Sequence, residues 1–207
     1  KKVAESYNDN ILILKSTVVP GTCREIKRRF PSIKIVFSPE FLTEANSIED
    51  FKSCNRVIFG GETAHAQACV DMMKMVFPKK EYKITDWETA ETVKYYINAF
   101  LATKVSFANE MKQVCNVIGI DYDKVRDLAL LDNRIGKSHL QVPGPDGYHG
   151  FGGKCFAKDL NALMYFCTLN NIKPTVLQAA WQKNLEVREE QDWLNIVGAV
   201  TKGEEDE

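Results

Sequence analysis

Three pairs of polar side chains stand four residues apart in this sequence: Glu40 with Glu44, Lys94 with Asn98, and Cys155 with Asp159. On a helix that spacing puts both members on one face, so each pair is a candidate for joint work on a bound molecule. The same spacing arises constantly on solvated faces, and the surroundings decide its weight. Lys94 and Asn98 lie in Lys94-Tyr95-Tyr96-Ile97-Asn98-Ala99-Phe100, with aromatic and apolar neighbours on more than one side. A lysine so placed is expected to be partly desolvated, and a desolvated ammonium facing a cavity suits the stabilisation of an oxyanion. Cys155 follows three glycines within five residues, in Gly150-Phe151-Gly152-Gly153-Lys154-Cys155, and glycine lets a backbone approach a ligand closely. The cysteine then begins a helix. Its sulfur is expected at the positive end of a helix dipole with Lys154 and Lys158 near, conditions that favour the thiolate and a nucleophilic role. An ordinary free cysteine packs as a small hydrophobe; the glycines and lysines argue against that for Cys155.

The other five cysteines, at 23, 54, 69, 115 and 167, show neither C-x-x-C spacing nor the density of a disulfide scaffold, so most are expected to be reduced and buried. His65, His139 and His149 have no metal-ligand spacing, and no metal site is expected; the first suits a helix surface and the other two a loop. The 27 Lys and Arg nearly cancel the 28 Asp and Glu, which leaves no global field to hold a polyanion, so no nucleic acid partner is expected. The longest apolar runs, Ile11 to Leu14 and Val197 to Val200, fall far short of the roughly 20 residues that cross a bilayer, so no membrane association is expected and a cytoplasmic location follows by default.

The elements that must hold these residues alternate. Lys1 to Asn8 has the character of a helix tail. Ile11 to Leu14 is a continuous apolar run suited to a strand buried on both faces of a parallel sheet. A loop, Lys15 to Thr22, leads to a basic helix from Cys23 to Phe30 and a second buried strand from Ile33 to Phe37. Arg56 to Phe59, ending in Gly60-Gly61, predicts a third strand, Thr63 to Phe77 a helix, and Tyr82 to Thr85 a fourth strand. This order argues for an open α/β sheet. Asp86 stands where a helix cap belongs, and Glu88 and Glu91 suit the positive end of the helix that follows. That helix is expected to run to about Val117, roughly 45 Å, long enough to join two domains or to pack against a second subunit. Beyond it the sequence predicts helices over Asp123 to Leu131, Lys158 to Asn170 and Thr175 to Val187, a Pro- and Gly-rich loop around Val142 to Gly147, and a disordered tail from Gly203 to Glu207.

The segment Gly150-Phe151-Gly152-Gly153-Lys154-Cys155-Phe156-Ala157-Lys158-Asp159 closely resembles the catalytic-cysteine motif of the UDP-glucose and GDP-mannose dehydrogenase family. Further signatures of that family occur in the right order: Lys15-Ser16-Thr17 with Pro20 and Gly21, then Ser38-Pro39-Glu40-Phe41-Leu42-Thr43-Glu44, then Glu91 to Asn98, and Asn133-Arg134-Ile135-Gly136. Together they span Ile11 to about Asn184. The resemblance implies the remnant of a doubly wound Rossmann-like sheet over residues 1–86, lacking its first half, and an all-α central domain over 87–202 that carries the catalytic cysteine and forms a homodimer through the long helix 87–117.

The implied activity is a two-step, four-electron oxidation of UDP-glucose to UDP-glucuronate with NAD as hydride acceptor. GDP-mannose or a UDP-N-acetylhexosamine stands as an alternative substrate, and an inactive truncated dimerisation module as an alternative from another class. By resemblance Cys155 attacks the intermediate aldehyde to give a thiohemiacetal and then a thioester, Lys94 stabilises the developing alkoxide, and Asn98 with Asp159 holds a water. Glu40 activates water against the thioester with Thr17 beside it, Glu44 and Lys158 lie near the nicotinamide ribose with Thr17, and the backbone at Phe41, Leu42 and Gly152 belongs to the sugar site. Arg134 resembles the family arginine that reaches a neighbouring subunit's nucleotide sugar; read without the family it is equally a surface salt-bridge partner. Gln141 to Tyr148 is expected to cover the uridine and diphosphate. The glycine fingerprint that seats a dinucleotide pyrophosphate, with an acidic residue about 20 positions later, does not occur. Weak NAD binding by this chain and an exposed sheet edge are the expected consequences.

Overall fold

The computed structural model describes residues 10–41, 47–196 and 199, and the chain divides into two compact units, residues 1–96 and 97–207. The expected helix tail at Lys1 to Asn8 and the tail from Gly203 lie outside the described residues.

The first unit is built on strands β1 (Ile11–Leu14), β2 (Lys34–Phe37), β3 (Arg56–Gly61) and β4 (Glu81–Thr85), which lie in that order in one sheet. β1 pairs with β2 in parallel, β2 with β3 antiparallel, and β3 with β4 in parallel. Helices α1 (Thr22–Arg29), α2 (Ser47–Ser53) and α3 (Thr63–Val76) connect them, and α4 (Trp87–Ile118) leaves the last strand. The period-two alternation of the strands sends successive side chains to opposite faces, and because both faces are covered the apolar runs Ile11–Leu14, 35–37 and 57–59 are continuous. Leu12, Leu14, Ile35, Phe37 and Ile58 pack on one face with Cys23 and Ile26 of α1 and with Trp87 and Ala90 at the start of α4. Ile11, Ile13, Val36, Val57 and Phe59 pack on the other with Ala66, Cys69 and Val70 of α3.

Three details differ from the sequence expectations. The sheet is mixed, because β3 runs against β2. Burial of β1 on both faces is corrected: all four of its residues are only half-buried, since β1 is the edge strand among the described residues and has one neighbour in place of two. α2 was not expected at all. Asp86 does cap α4, its Oδ1 accepting from the Thr89 amide at 2.8 Å and its Oδ2 from the Thr89 hydroxyl at 2.7 Å. Gly60 and Gly61 seat this helix end. A Cβ on Gly60 would come within 2.4 Å of the Ala90 Cβ, and one on Gly61 within 3.2 Å of the Trp87 indole nitrogen, which donates to the Ile35 carbonyl.

α4 is 32 residues long, about 48 Å at the helical rise. In the second unit its later turns are joined by α5 (Tyr122–Ala129), α6 (Lys154–Leu169), α7 (Thr175–Val187) and a short 3₁₀ turn, Asp192–Leu194. α6 begins four residues before the expected Lys158, so Cys155 lies inside its first turn. Ala99, Ala102, Phe151 and Leu160 form one buried cluster with Trp181 against it. Trp181 also meets the buried Trp193, with ring centroids 5.3 Å apart. Among the described residues no helix is long and apolar enough to cross a membrane.

Candidate active site

Chemistry-bearing residues of the first unit gather at the carboxyl ends of β1 and β2, where open α/β sheets receive ligands. The Ser38 amide donates to the Leu14 carbonyl at 2.9 Å, so the loops after the two strands leave side by side. The first carries Lys15 and the half-buried Thr17 and ends at Gly21, which adopts φ 93° as the cap of α1. The fully buried Glu91 of α4 closes this loop, Oε2 accepting from the Gly21 amide at 2.6 Å and Oε1 from the Cys23 amide at 2.9 Å. A carboxylate thus sits on the positive end of α1. Burial, with the Glu91 carboxylate beside it, pushes the Cys23 thiol up out of the reactive range.

Lys94 is buried, at 8% exposure, and its ammonium donates to the Glu40 carbonyl at 2.5 Å and stands 5.6 Å from the centre of the Phe41 ring. Arg56 lies over the same ring at 4.9 Å. A cavity of about 30 Å³ lies here, lined by Lys15, Ser38, Glu40, Phe41, Arg56 and Lys80 among others. Glu40 is exposed and belongs to a loop; Leu42 and Glu44, and with Glu44 its expected pairing with Glu40, lie outside the described residues.

In the second unit Cys155 is exposed, one residue into α6, behind Gly153 at φ 71° and ψ −174°, backbone that only glycine adopts without strain. One turn further on, Asp159 is buried at 1% exposure. Its Oδ2 accepts from the Asn98 side-chain amide at 2.5 Å, and its Oδ1 pairs with the Lys158 ammonium. Asn98 itself is buried. Asn98, Lys158 and Asp159 therefore form one hydrogen-bonded group on the flank of the helix that carries the cysteine. Arg134 pairs with Asp132 at 2.5 Å, and its side chain is 90% exposed. Among the described residues no cluster of His, Cys, Asp and Glu has the make-up of a metal site.

The glycine turn before Cys155 is held by residues that the sequence motifs did not single out. Asn184, fully buried, clamps Phe151 on both sides of its backbone, accepting from its amide at 2.7 Å and donating to its carbonyl at 3.0 Å. Asn109 accepts from the Gly150 amide at 3.2 Å. Both carboxylate oxygens of Asp192 accept from the Gly153 amide, at 3.1 and 3.0 Å, and the buried Arg188 lies over Gly152. A Cβ on Gly152 would fall 2.1 Å from the Arg188 Nη2, and one on Gly150 2.4 Å from the Asn184 Oδ1. Asn184, Arg188 and Asp192 follow one another at four-residue intervals, the same spacing that singled out the other pairs.

Residues 1–80 match the model of the UDP-glucose/GDP-mannose dehydrogenase family NAD binding domain, and residues 88–186 match that family's central domain. UDP-glucose 6-dehydrogenase of Rickettsia conorii is 37% identical over 191 residues, covering 88% of this chain and 42% of the relative. UDP-glucose 6-dehydrogenase TuaD of Bacillus subtilis is 34% identical, covering 91% of this chain and 41% of the relative. A UDP-glucose dehydrogenase structure from Pyrobaculum islandicum superposes with a TM-score of 0.75 at 31% identity, covering 86% of this chain and 41% of that one. The chain thus spans about two fifths of the length of the relatives it matches. With two domain models matched in order over most of its length, the chain belongs to the UDP-glucose/GDP-mannose dehydrogenase family.

Proposed function

We propose that this chain carries the catalytic cysteine of an NAD-dependent nucleotide-sugar dehydrogenase that oxidises UDP-glucose to UDP-glucuronate. The observation that carries the reading is Cys155: an exposed thiol in the first turn of α6, delivered by a glycine turn whose backbone is clamped by buried side chains. NAD, when bound, accepts the hydride of each oxidation. The chain's own residues do the rest. The Cys155 sulfur adds to the C6 carbon of the aldehyde, forming a C–S bond while the carbonyl oxygen takes up the negative charge and then a proton. Loss of a hydride from C6 together with the hydroxyl proton leaves a thioester, and water attacking that carbon breaks the C–S bond, releasing the carboxylate, a proton and the thiol.

Lys94 supplies an ammonium to the oxyanion, which its burial supports because charge stabilisation strengthens away from water. Asn98 and Asp159 handle the proton, and their direct hydrogen bond supports joint action. Glu40 and Thr17 serve the hydrolysis of the thioester, with Phe41 and Leu42 at the sugar and Thr17, Glu44 and Lys158 toward the nicotinamide ribose. Family selectivity for the sugar lies in the loops, and the UDP-glucose assignment takes its support from relatives named for that substrate.

The test uses the C6 aldehyde of UDP-glucose without NAD. It is expected to shield Cys155 from iodoacetamide and to leave a reducible adduct on that residue, absent in Cys155→Ser. Equal sluggishness of all six thiols with no adduct overturns the reading and leaves a helical dimerisation module. The dimer itself has support in the second unit, where Phe100 and Phe107 of α4 and Ile135 are exposed around an apolar cleft of about 410 Å³ with Arg134 at its lining. A second copy of the chain is the occupant we propose. Sedimentation of the parent as a dimer and of Phe107→Glu as a monomer is the expected result; a parent that sediments as a monomer overturns it.

A further inference from the structure

Arg188 is an almost completely buried cation, its side chain 2% exposed. Its Nη1 pairs with Asp146 Oδ2 at 2.7 Å, its Nε donates to the Glu190 carbonyl at 2.9 Å, its Nη2 lies 3.5 Å from Asp192 Oδ2, and its guanidinium carbon stands 4.9 Å from the centre of the Tyr148 ring. Asp146 and Tyr148 belong to a closed turn, in which Gly144 donates to the Tyr148 carbonyl at 2.8 Å and Tyr148 to Asp146 Oδ1 at 3.2 Å. Asp192 holds the Gly153 amide, the cap of the helix whose first turn carries Cys155. One guanidinium fork therefore ends on the turn at 144–148 and also faces the carboxylate that fixes the cysteine's turn. A fork of this kind is rigid and directional, and it holds two carboxylates in fixed geometry as a lysine cannot.

We propose that Arg188 is a positioning residue for Cys155, coupling the placement of the 144–148 turn to that of the glycine turn Gly150–Gly153. The inference rests on the reading of Cys155 as the nucleophile only for its functional meaning; the coupling is a property of the fold. The two carboxylates compensate one buried charge, so removing either disturbs the guanidinium and, through it, the loop on the far side. The close approach at Gly152, where no Cβ fits beside Nη2, makes the arrangement depend on a glycine next to the cysteine's turn.

Amide hydrogen exchange on this chain tests it, read over 143–148, over 150–155 including Cys155, and over 63–76 of α3 as a control. Asp192→Asn, at the carboxylate that accepts from Gly153 and faces Arg188, is expected to speed exchange over 143–148 as well as 150–155, by about tenfold for a lost charge-assisted bond. Asp146→Asn keeps an oxygen for the Tyr148 amide and loses the charge, and it is expected to speed exchange over 150–155. Arg188→Met does both while the control is unchanged, and Arg188→Lys recovers part of the protection. If each aspartate variant changes only its own loop, the coupling is overturned, and that result is decisive even if Arg188→Met does not fold. Selective modification of Cys155 with uncoupled loops sinks this inference alone; coupled loops with an inert Cys155 sink the proposed activity alone.

Discussion

The carboxylate of Glu91, fully buried, receives the backbone amides of Gly21 and Cys23 on its two separate oxygens, at 2.6 and 2.9 Å. It connects the second turn of α4 to the amino end of α1, nearly seventy residues away in sequence, and so fixes where the loop carrying Thr17 returns. Glu91→Gln tests this arrangement with almost no change in shape. An amide offers one acceptor oxygen where two are used, so one buried N–H is left facing an NH₂ group. A loss of about 1–3 kcal/mol is expected for the unsatisfied donor, read as an earlier urea midpoint at unchanged slope. A midpoint within error of the parent would show that these amides find other partners.

Gly152 and Gly153 fail for different reasons when given a side chain. At Gly152 the obstacle is the Arg188 guanidinium, with Asp192 Oδ1 at 2.8 Å behind it. At Gly153 there is open space, and the obstacle is φ at 71°. Gly153→Ala is expected to cost about 1–3 kcal/mol of backbone strain, and Gly152→Ala about 1–3 kcal/mol of overpacking. The two separate in combination with Arg188→Ala, which relieves the clash at Gly152 and leaves the strain at Gly153. Thermal unfolding of the four variants measures the difference; equal relief at both positions would contradict this account.

What was legible in the sequence was whatever depends on near neighbours. Asp86 announced a helix start because its partner, Thr89, stands three residues on, and Thr175 to Val187 was bounded by Pro174 and by its own periodicity. Cys155 stood out because its glycines and lysines are adjacent to it. Legibility failed where a residue's meaning comes from a distant partner. Glu91 looked like a charge suited to its own helix and instead caps another. Arg188 and Asp192 carry no signal in their immediate neighbours, and only their four-residue spacing from Asn184 marks them; their partners are Asp146 and Gly153. β1 has the apolar run of a strand covered on both faces, yet it is half-buried at the edge of the described sheet. Gly60 and Gly61 are the seat of Trp87 and Ala90, a role set by residues nearly thirty positions away.

Acid should loosen the first unit through the start of α4. The Thr89 amide, then its hydroxyl, holds the Asp86 carboxyl below its ordinary range, and Arg24 does the same for Glu88. A carboxyl whose value is lowered by folding adds stability that is present above its unfolded value and disappears as pH falls through the folded one. The loss is therefore expected as pH drops below about 4, where free Asp and Glu titrate. Asp86→Asn keeps an acceptor for the cap but cannot titrate. Its unfolding midpoint should lie below the parent's at neutral pH and converge with it in acid. Parallel curves across the whole range would assign the effect to the cap's shape and remove the role of its charge.

Cofactor affinity gives the last prediction. The loops after β1 and β2 present Lys15, Thr17 and Ser38 at one end of the sheet, enough to meet a ribose hydroxyl. Most of the anchoring of a dinucleotide comes from its pyrophosphate, seated on glycine amides at a helix amino terminus. α1 has that geometry at Gly21, but Glu91 already occupies its amides, and a second anion there would face a buried carboxylate. This chain is therefore expected to bind NAD more weakly than micromolar by isothermal titration. Glu91→Ala removes the carboxylate from this helix end, and inorganic phosphate is the probe that separates the two causes. Phosphate stabilisation appearing in Glu91→Ala and not in the parent assigns the weak binding to occupied amides. Micromolar NAD binding by the parent would mean that the ribose-end loops anchor the cofactor without a pyrophosphate seat.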